Sequence, residues 1–153
     1  MNLQTAQALA HLYMDRYDLR RKGWRFKYDN AKNRFGVCKY QSKVIGLSKP
    51  LTDANDQVRV VDTILHEIAH ALVGPGHGHD NVWKRMCIEI GCKPERCFTS
   101  KDTNLVAGRF KAVCGGCGKT HTRHKRPRGG VRVACKCQSG IPWDKKKVLQ
   151  YSC

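Results

Sequence analysis

The stretch VRVVDTILHEIAHALVGPGHGHDNVW, residues 58–83, decides how the rest of the chain reads. Inside it, HEIAH runs from His66 to His70. Histidines four positions apart on an α-helix project from one face and can share a metal ion, and Glu67 beside them lies within reach of a water on that ion. A catalytic Zn²⁺ takes about three protein ligands and keeps a position for water, whose pKa it lowers to roughly 7. The pattern therefore points to a zinc hydrolase, with His66 and His70 as ligands and Glu67 as the base.

The flanks predict that the motif is helical. Val58, Val61, Leu65, Ile68 and Leu72 recur at spacings of three and four, a buried stripe with both histidines on an adjoining flank. Pro50, Thr52, Asp53 and Asn55 form a cluster of turn and cap residues from which this helix starts. The GPG at 74–76 ends it, since proline cannot continue a helix and glycine permits the reversal. A second helix is predicted from about Asp80 to Ile90, with Trp83, Met86, Cys87 and Ile90 on one face and Asp80 or Asn81 as its cap.

A third protein ligand has three candidates. His77 and His79 flank Gly78 just beyond the helix, and Glu89 stands farther on, between Ile88 and Ile90. The glycine-rich reversal makes an imidazole from the 77–79 segment the easiest to deliver, whereas Glu89 projects away from the Trp83, Met86 and Ile90 face. Register decides between the two histidines.

Upstream, Leu3, Ala6, Ala10, Tyr13 and Tyr17 mark one face of a first helix ending near Gly23. GWRFKYD and RFGVCKYQSKVIGLS then read as extended segments, separated by the turn composition of Asn30 to Asn33, and predict a small antiparallel sheet. Trp24, Phe26, Phe35 and Tyr40 are expected in its core.

These residues resemble the SprT-like zinc metalloprotease family. In that family the motif helix is followed by a third histidine and, four positions on, an aromatic that begins the next helix; His79 and Trp83 match this interval, while His77 matches the family's common His-Gly pair. The resemblance favours His79, with His77 as second choice. RFGVCKY and VIGLS are similar to the family's short strands ahead of the motif. The fold implied is α+β: a small zincin-like domain with an N-terminal helix, a short antiparallel sheet, the HExxH helix and a following helix, over residues 1–108.

Residues 109–153 read as a second module. Cys114 and Cys117 form a glycine-rich knuckle, and Cys135 with Cys137 supplies the other half of a zinc ribbon holding a structural Zn²⁺. The second pair is C-x-C rather than C-x-x-C, so His121, His124 or Cys153 could replace one thiolate. The segment has too little apolar content to fold without metal. Cys38, Cys87, Cys92 and Cys97 read as buried or incidental thiols. An odd total of nine cysteines in tight pairs, with no secretory signal at the start of the chain, argues against a disulfide framework.

Charge supplies the partner. The chain of 153 residues carries 29 Lys and Arg against 12 Asp and Glu, a formal net charge of +17. A polyanion is the expected partner, nucleic acid rather than membrane, because no apolar run approaches a span. The second module is the more lopsided, with Asp144 its one acid. Arg123, Lys125, Arg126, Arg128 and Arg132 suit phosphate contact, and Phe110 and Trp143 suit either base stacking or cover for the zinc site.

The resulting expectation is a DNA-associated zinc metalloendopeptidase with one catalytic and one structural Zn²⁺. Family resemblance implies protein bound or crosslinked to DNA as its substrate, and hence a role in DNA–protein crosslink repair. Single-stranded or junction-containing DNA is the expected nucleic-acid partner. The protein is expected to be a cytoplasmic monomer, nucleoid-associated in a bacterium or a phage-infected cell. Two other readings are a zinc-dependent nucleic-acid-binding or regulatory protein with a vestigial protease-like site, and a metallohydrolase of small or cell-wall substrates, for which the basic ribbon has no role.

Overall fold

The computed structural model describes residues 1–95, 106–126, 128 and 132–152. Cys97 and Cys153 lie outside the described residues. The chain forms two compact units, Met1–Val106 and Ala107–Cys153. No helix among the described residues is long and apolar enough to cross a membrane.

In the first unit the order is α1 (Leu3–Arg16), β1 (Arg25–Asp29), β2 (Gly36–Lys39), β3 (Val44–Ser48), α2 (Lys49–Ala54), α3 (Gln57–Val73) and α4 (Asn81–Ile90). Asn2 caps α1 by accepting from the Gln4 and Thr5 amides, and the small residues Ala6 and Ala10, both fully buried, let that helix approach the core closely. The helix stops at Arg16 rather than near Gly23. Asp18, at φ 56°, turns the chain and delivers Leu19 to the core.

The sheet is mixed, with strand order β1-β3-β2. The expected antiparallel pairing holds for β2 with β3, from Gly36 opposite Leu47 to Lys39 opposite Val44. Between β1 and β3 the pairing is parallel, Arg25 opposite Val44 through Asp29 opposite Ser48. The physical reason lies in VIGLS. All five residues of β3 are buried, as in a central strand whose outward side chains are screened by those of a neighbour on each edge. Because β2 intervenes in sequence, β3 enters beside β1 in the same direction. Phe26, Tyr28, Cys38, Ile45 and Leu47 line the face that meets α1 and α3. Trp24 and Phe35 are buried as expected.

The segment read as turn residues ahead of the motif helix contains a helix of its own. Ser48 accepts from the Leu51 amide to cap α2, and Pro50 stands in its first turn, where a missing N–H costs nothing. Asp56 then caps α3 by accepting from the Arg59 amide.

In α3 the predicted stripe shifts. Val58 is 77% exposed because it sits in the first turn, before the helix enters the core. Val60, Ile64 and Ile68, four apart, pack with α1 and the sheet, while Leu65 and Ala69 pack with Trp83 and Cys87 of α4. Burial on two sides submerges the middle of α3, His66 through His70 included. Gly74, at φ 83°, ends it.

The second unit is built on a hairpin, β4 (Phe110–Val113) antiparallel to β5 (Thr120–Arg123), followed by a 3₁₀ turn at Lys136–Gln138. Bridges between Lys111 and Ser152 and between Ala134 and Val148 close it. Its small core is Ala112, Cys114, Cys135 and Leu149, with Val133 and Tyr151 packed against it.

Candidate metal centres

Helical spacing puts His66 and His70 on one face of α3, and the Gly74–Gly76 reversal returns the chain to them. His79 Nε2 stands 3.2 Å from His66 Nε2 and 3.2 Å from His70 Nε2. Tetrahedral coordination with Zn–N of about 2.1 Å requires nitrogens roughly 3.4 Å apart. The three imidazoles thus fit a single zinc ion, and they form one of the two groups able to hold a metal among the described residues. His77 is not in the group. Its Nδ1 pairs with Asp80 Oδ2 at 2.8 Å, on the exposed side of the turn. Glu89 is exposed on α4 and also stands apart.

Several contacts hold this cluster. Trp83 is fully buried, and its ring lies 4.7 Å from His66, 5.2 Å from His70 and 4.5 Å from His79 between centroids, stacked on His70 at 24°. Asp80, next after His79, accepts from the Val82 and Trp83 amides and so caps the start of α4. Burial first, then the neighbouring imidazoles, push His66 down to about 3. The same order of causes takes His70 down to about 4. Neutral imidazoles present lone pairs, which is the ligand form.

Glu67 is 7% exposed, and burial lifts its carboxyl to about 8 despite the opposing charge of Arg34. Arg34 is itself tied to Asp29 at 2.6 Å. Gly36 supplies the space for the carboxylate: a Cβ there would stand 2.6 Å from Glu67 Oε1 and 2.7 Å from its Cγ. Neither Gly36 nor Arg34 was legible as a site residue in a stretch that reads simply as strand, since only the tertiary approach of β2 to α3 gives them that position. Cys38, on the same strand, joins neither metal group. Burial, then the charge of Glu67, holds its thiol up to about 12.

The SprT-like family model matches residues 5–103. The chain belongs to the SprT-like family. No curated protein matches it. Membership gives the first unit a metalloprotease-like domain, and both the histidine cluster and Glu67 fall within the matched SprT-like region.

Beyond that region, Cys114, Cys117, Cys135 and Cys137 make the second group able to hold a metal. Cys114 Sγ lies 3.6 Å from Cys137 Sγ, and Cys117 Sγ 3.8 Å from Cys135 Sγ. A ZnS₄ tetrahedron with Zn–S of about 2.3 Å has edges of roughly 3.8 Å. Amides of Cys117 and Gly116 point at the Cys114 sulfur and hold its thiol down to about 6. The turn of this knuckle needs Gly118, whose φ is 71°.

The shorter C-x-C pair is accommodated by the 3₁₀ turn that starts after Cys135 and brings the exposed Cys137 to the Cys114 sulfur. Gln138 locks that turn. Its side chain accepts from the Lys147 amide at 2.7 Å and donates to the Lys147 carbonyl at 3.0 Å, with the Cys114 sulfur 3.7 Å away. Sequence reading missed it, because a glutamine among lysines carries no signal of burial.

His121 and His124 remain outside the cysteine group, each with one buried ring nitrogen lacking a hydrogen-bond partner among the described residues. Lys125, Arg126, Arg128 and Arg132 are exposed, while Arg123 stacks over Tyr151 and donates to its hydroxyl at 3.2 Å. Trp143 is 52% exposed and lies outside the core around the cysteines, with the Lys146 ammonium 4.5 Å from its ring centre. Phe110 is half-buried under Arg109.

Proposed function

We propose that this SprT-like protein is a zinc-dependent endopeptidase acting on proteins bound or crosslinked to DNA. One observation carries the enzymatic part. His79 Nε2 stands 3.2 Å from the Nε2 atoms of both His66 and His70, beside a buried carboxyl group that makes no ion pair among the described residues. His66, His70 and His79 would hold the metal. Bound there, zinc supplies Lewis acidity, acidifying water and polarising a peptide carbonyl.

The chain's own groups do the rest. Glu67 takes the proton of the attacking water on a carboxylate oxygen and returns it to the leaving amine nitrogen. Burial suits it to the first task, because a desolvated carboxylate is the stronger base, and the proton it takes stays beside the leaving amine until that nitrogen accepts it. Trp83 keeps the imidazoles oriented and excludes water behind them. A structural zinc on the four cysteines would order the basic second unit, whose Lys and Arg suit sequence-independent phosphate contact, confining an otherwise unselective protease to DNA-bound targets.

Zinc-loaded protein incubated with a DNA-binding protein, with and without single-stranded DNA, tests this reading. Fragments are expected only with DNA present and Glu67 intact, and Glu67→Gln should lower the rate by about 10²- to 10⁴-fold with zinc content unchanged. Equal cleavage by that variant would overturn the mechanism.

A further inference from the structure

The SprT-like unit is itself electrically divided. Between Arg16 and Lys49 the sequence places eleven Lys and Arg against Asp18 and Asp29, whereas residues 50–106 hold six against eight acids. Five of these eleven cations lie on or beside one sheet face, and Arg20, Arg21 and Arg34 are held in ion pairs with Asp15, Asp18 and Asp29. With Phe26, Tyr28, Ile45 and Leu47 turned to the helices, alternation turns Arg25, Lys27, Val44, Val37 and Lys39 outward, and with them Asp29 at the strand end, whose charge is held by Arg34. In register, Arg25 and Lys39 flank Val44, and Lys27 lies across Gly46 from Val37.

At the Arg25 end of the sheet the face continues into Lys22 and Lys43, joined by a hydrogen bond from the Lys43 ammonium to the Lys22 carbonyl at 3.0 Å. Lys22, Arg25, Lys27, Lys39 and Lys43 are all exposed, and none forms an ion pair among the described residues. Val44 is nonetheless only 6% exposed. Long cationic side chains beside an apolar position cover it with their stems while their charged ends reach water.

The exposed large apolar residues all lie elsewhere; none falls between Arg16 and Lys49. A protein partner normally engages an apolar centre, and a membrane surface an apolar insertion. A face whose unpaired charges are all cationic, with no exposed apolar centre, suits a chain of phosphates. We propose that this outer sheet face is a second nucleic-acid-backbone contact, carried by the SprT-like unit and separate from the basic residues of the cysteine unit. The inference rests on the nucleic-acid association proposed above, but not on proteolysis.

The test uses the full zinc-loaded chain and a labelled single-stranded oligonucleotide, titrated across a salt series. Arg25→Gln, Lys27→Gln and Lys39→Gln together should weaken binding about tenfold or more at low salt and reduce the steepness of the log–log salt dependence by roughly two, since each phosphate neutralised on a single strand adds about 0.7 to that slope. In the wild type, DNA should protect Lys27, Lys39 and Lys43 from acylation while leaving Lys84 and Lys93 reactive.

Unchanged affinity and slope in that triple variant, with binding lost on replacing Arg123, Lys125 and Arg126, would overturn this inference and leave association through the cysteine unit standing. Protection by polyglutamate equal to that by DNA would overturn nucleic acid as the occupant. If wild type fails to bind DNA at all, both readings fall.

Discussion

Gly36 and Glu67 are in steric register: an added Cβ on the strand residue would fall 2.6 Å from Oε1 of the helix residue. Glu67 is too buried to swing away freely. Gly36→Ala should therefore displace the carboxylate and lower peptide cleavage at least tenfold, while the histidine cluster still takes up its metal. Metal content by mass spectrometry alongside a cleavage assay checks this, and a fully active Gly36→Ala protein would show that the carboxylate has no fixed position to lose.

Trp83 is the common wall of the three imidazoles. Trp83→Ala should destabilise the fold by about 3–5 kcal/mol, as expected for emptying a buried aromatic site. Zinc affinity should fall with it. Trp83→Phe retains a ring and removes an indole N–H that has no hydrogen-bond partner among the described residues, so it should cost far less. Thermal melting of the two variants separates the outcomes.

Without metal, acid and base both weaken the first unit, each through different groups. Folding lowers His66 to about 3 and His70 to about 4 from 6.5, so their neutral forms are favoured in the fold and stability falls as pH drops below about 6.5. Folding raises Glu67 from 4.5 to about 8, so its protonated form is favoured and stability falls as pH rises from about 4.5 toward 8. The melting temperature of metal-free protein should peak near pH 6.5, because two imidazoles outweigh one carboxyl until half of their unfolded-state protons are lost. Zinc should move the peak upward, because it favours neutral imidazoles and an ionised carboxylate. A metal-free melting temperature that climbs steadily to pH 8 would contradict this environment for Glu67.

Gln138→Ala removes both hydrogen bonds to the Lys147 backbone that brace the second cysteine pair. Groups that orient metal ligands are worth about 10- to 100-fold in affinity. The variant should release one zinc equivalent more readily under a chelator and keep the other, as competition with a colorimetric indicator would report.

Much of the site was readable because its chemistry is local. HEIAH, the glycine reversal and the Asp80 cap specify their geometry within a few residues, and residues 66–79 contain the whole imidazole set. The strand order was not readable, because it depends on VIGLS taking a strand along each edge, which its neighbours in space decide. Val58 failed as a core position for a related reason. Helical periodicity identifies a face but not where along the helix the core begins. Gly36, Arg34 and Gln138 carry no motif at all, and their importance arises from what the fold brings against them.

The two metal groups differ in how much chain an ion would tie together. His66, His70 and His79 hang on one helix already anchored by its apolar faces and on the turn that leaves it, so an ion there closes only the short segment from His70 to His79. The cysteine group joins Cys114 to Cys137 across a hairpin whose core is four small or medium side chains. Closing the longer loop removes more freedom from the unfolded chain, and little else opposes that freedom. One ion would therefore act as an exchangeable tool and the other as a fastener: stripping the first should leave a folded, inactive domain, and stripping the second should dissolve the unit that holds it.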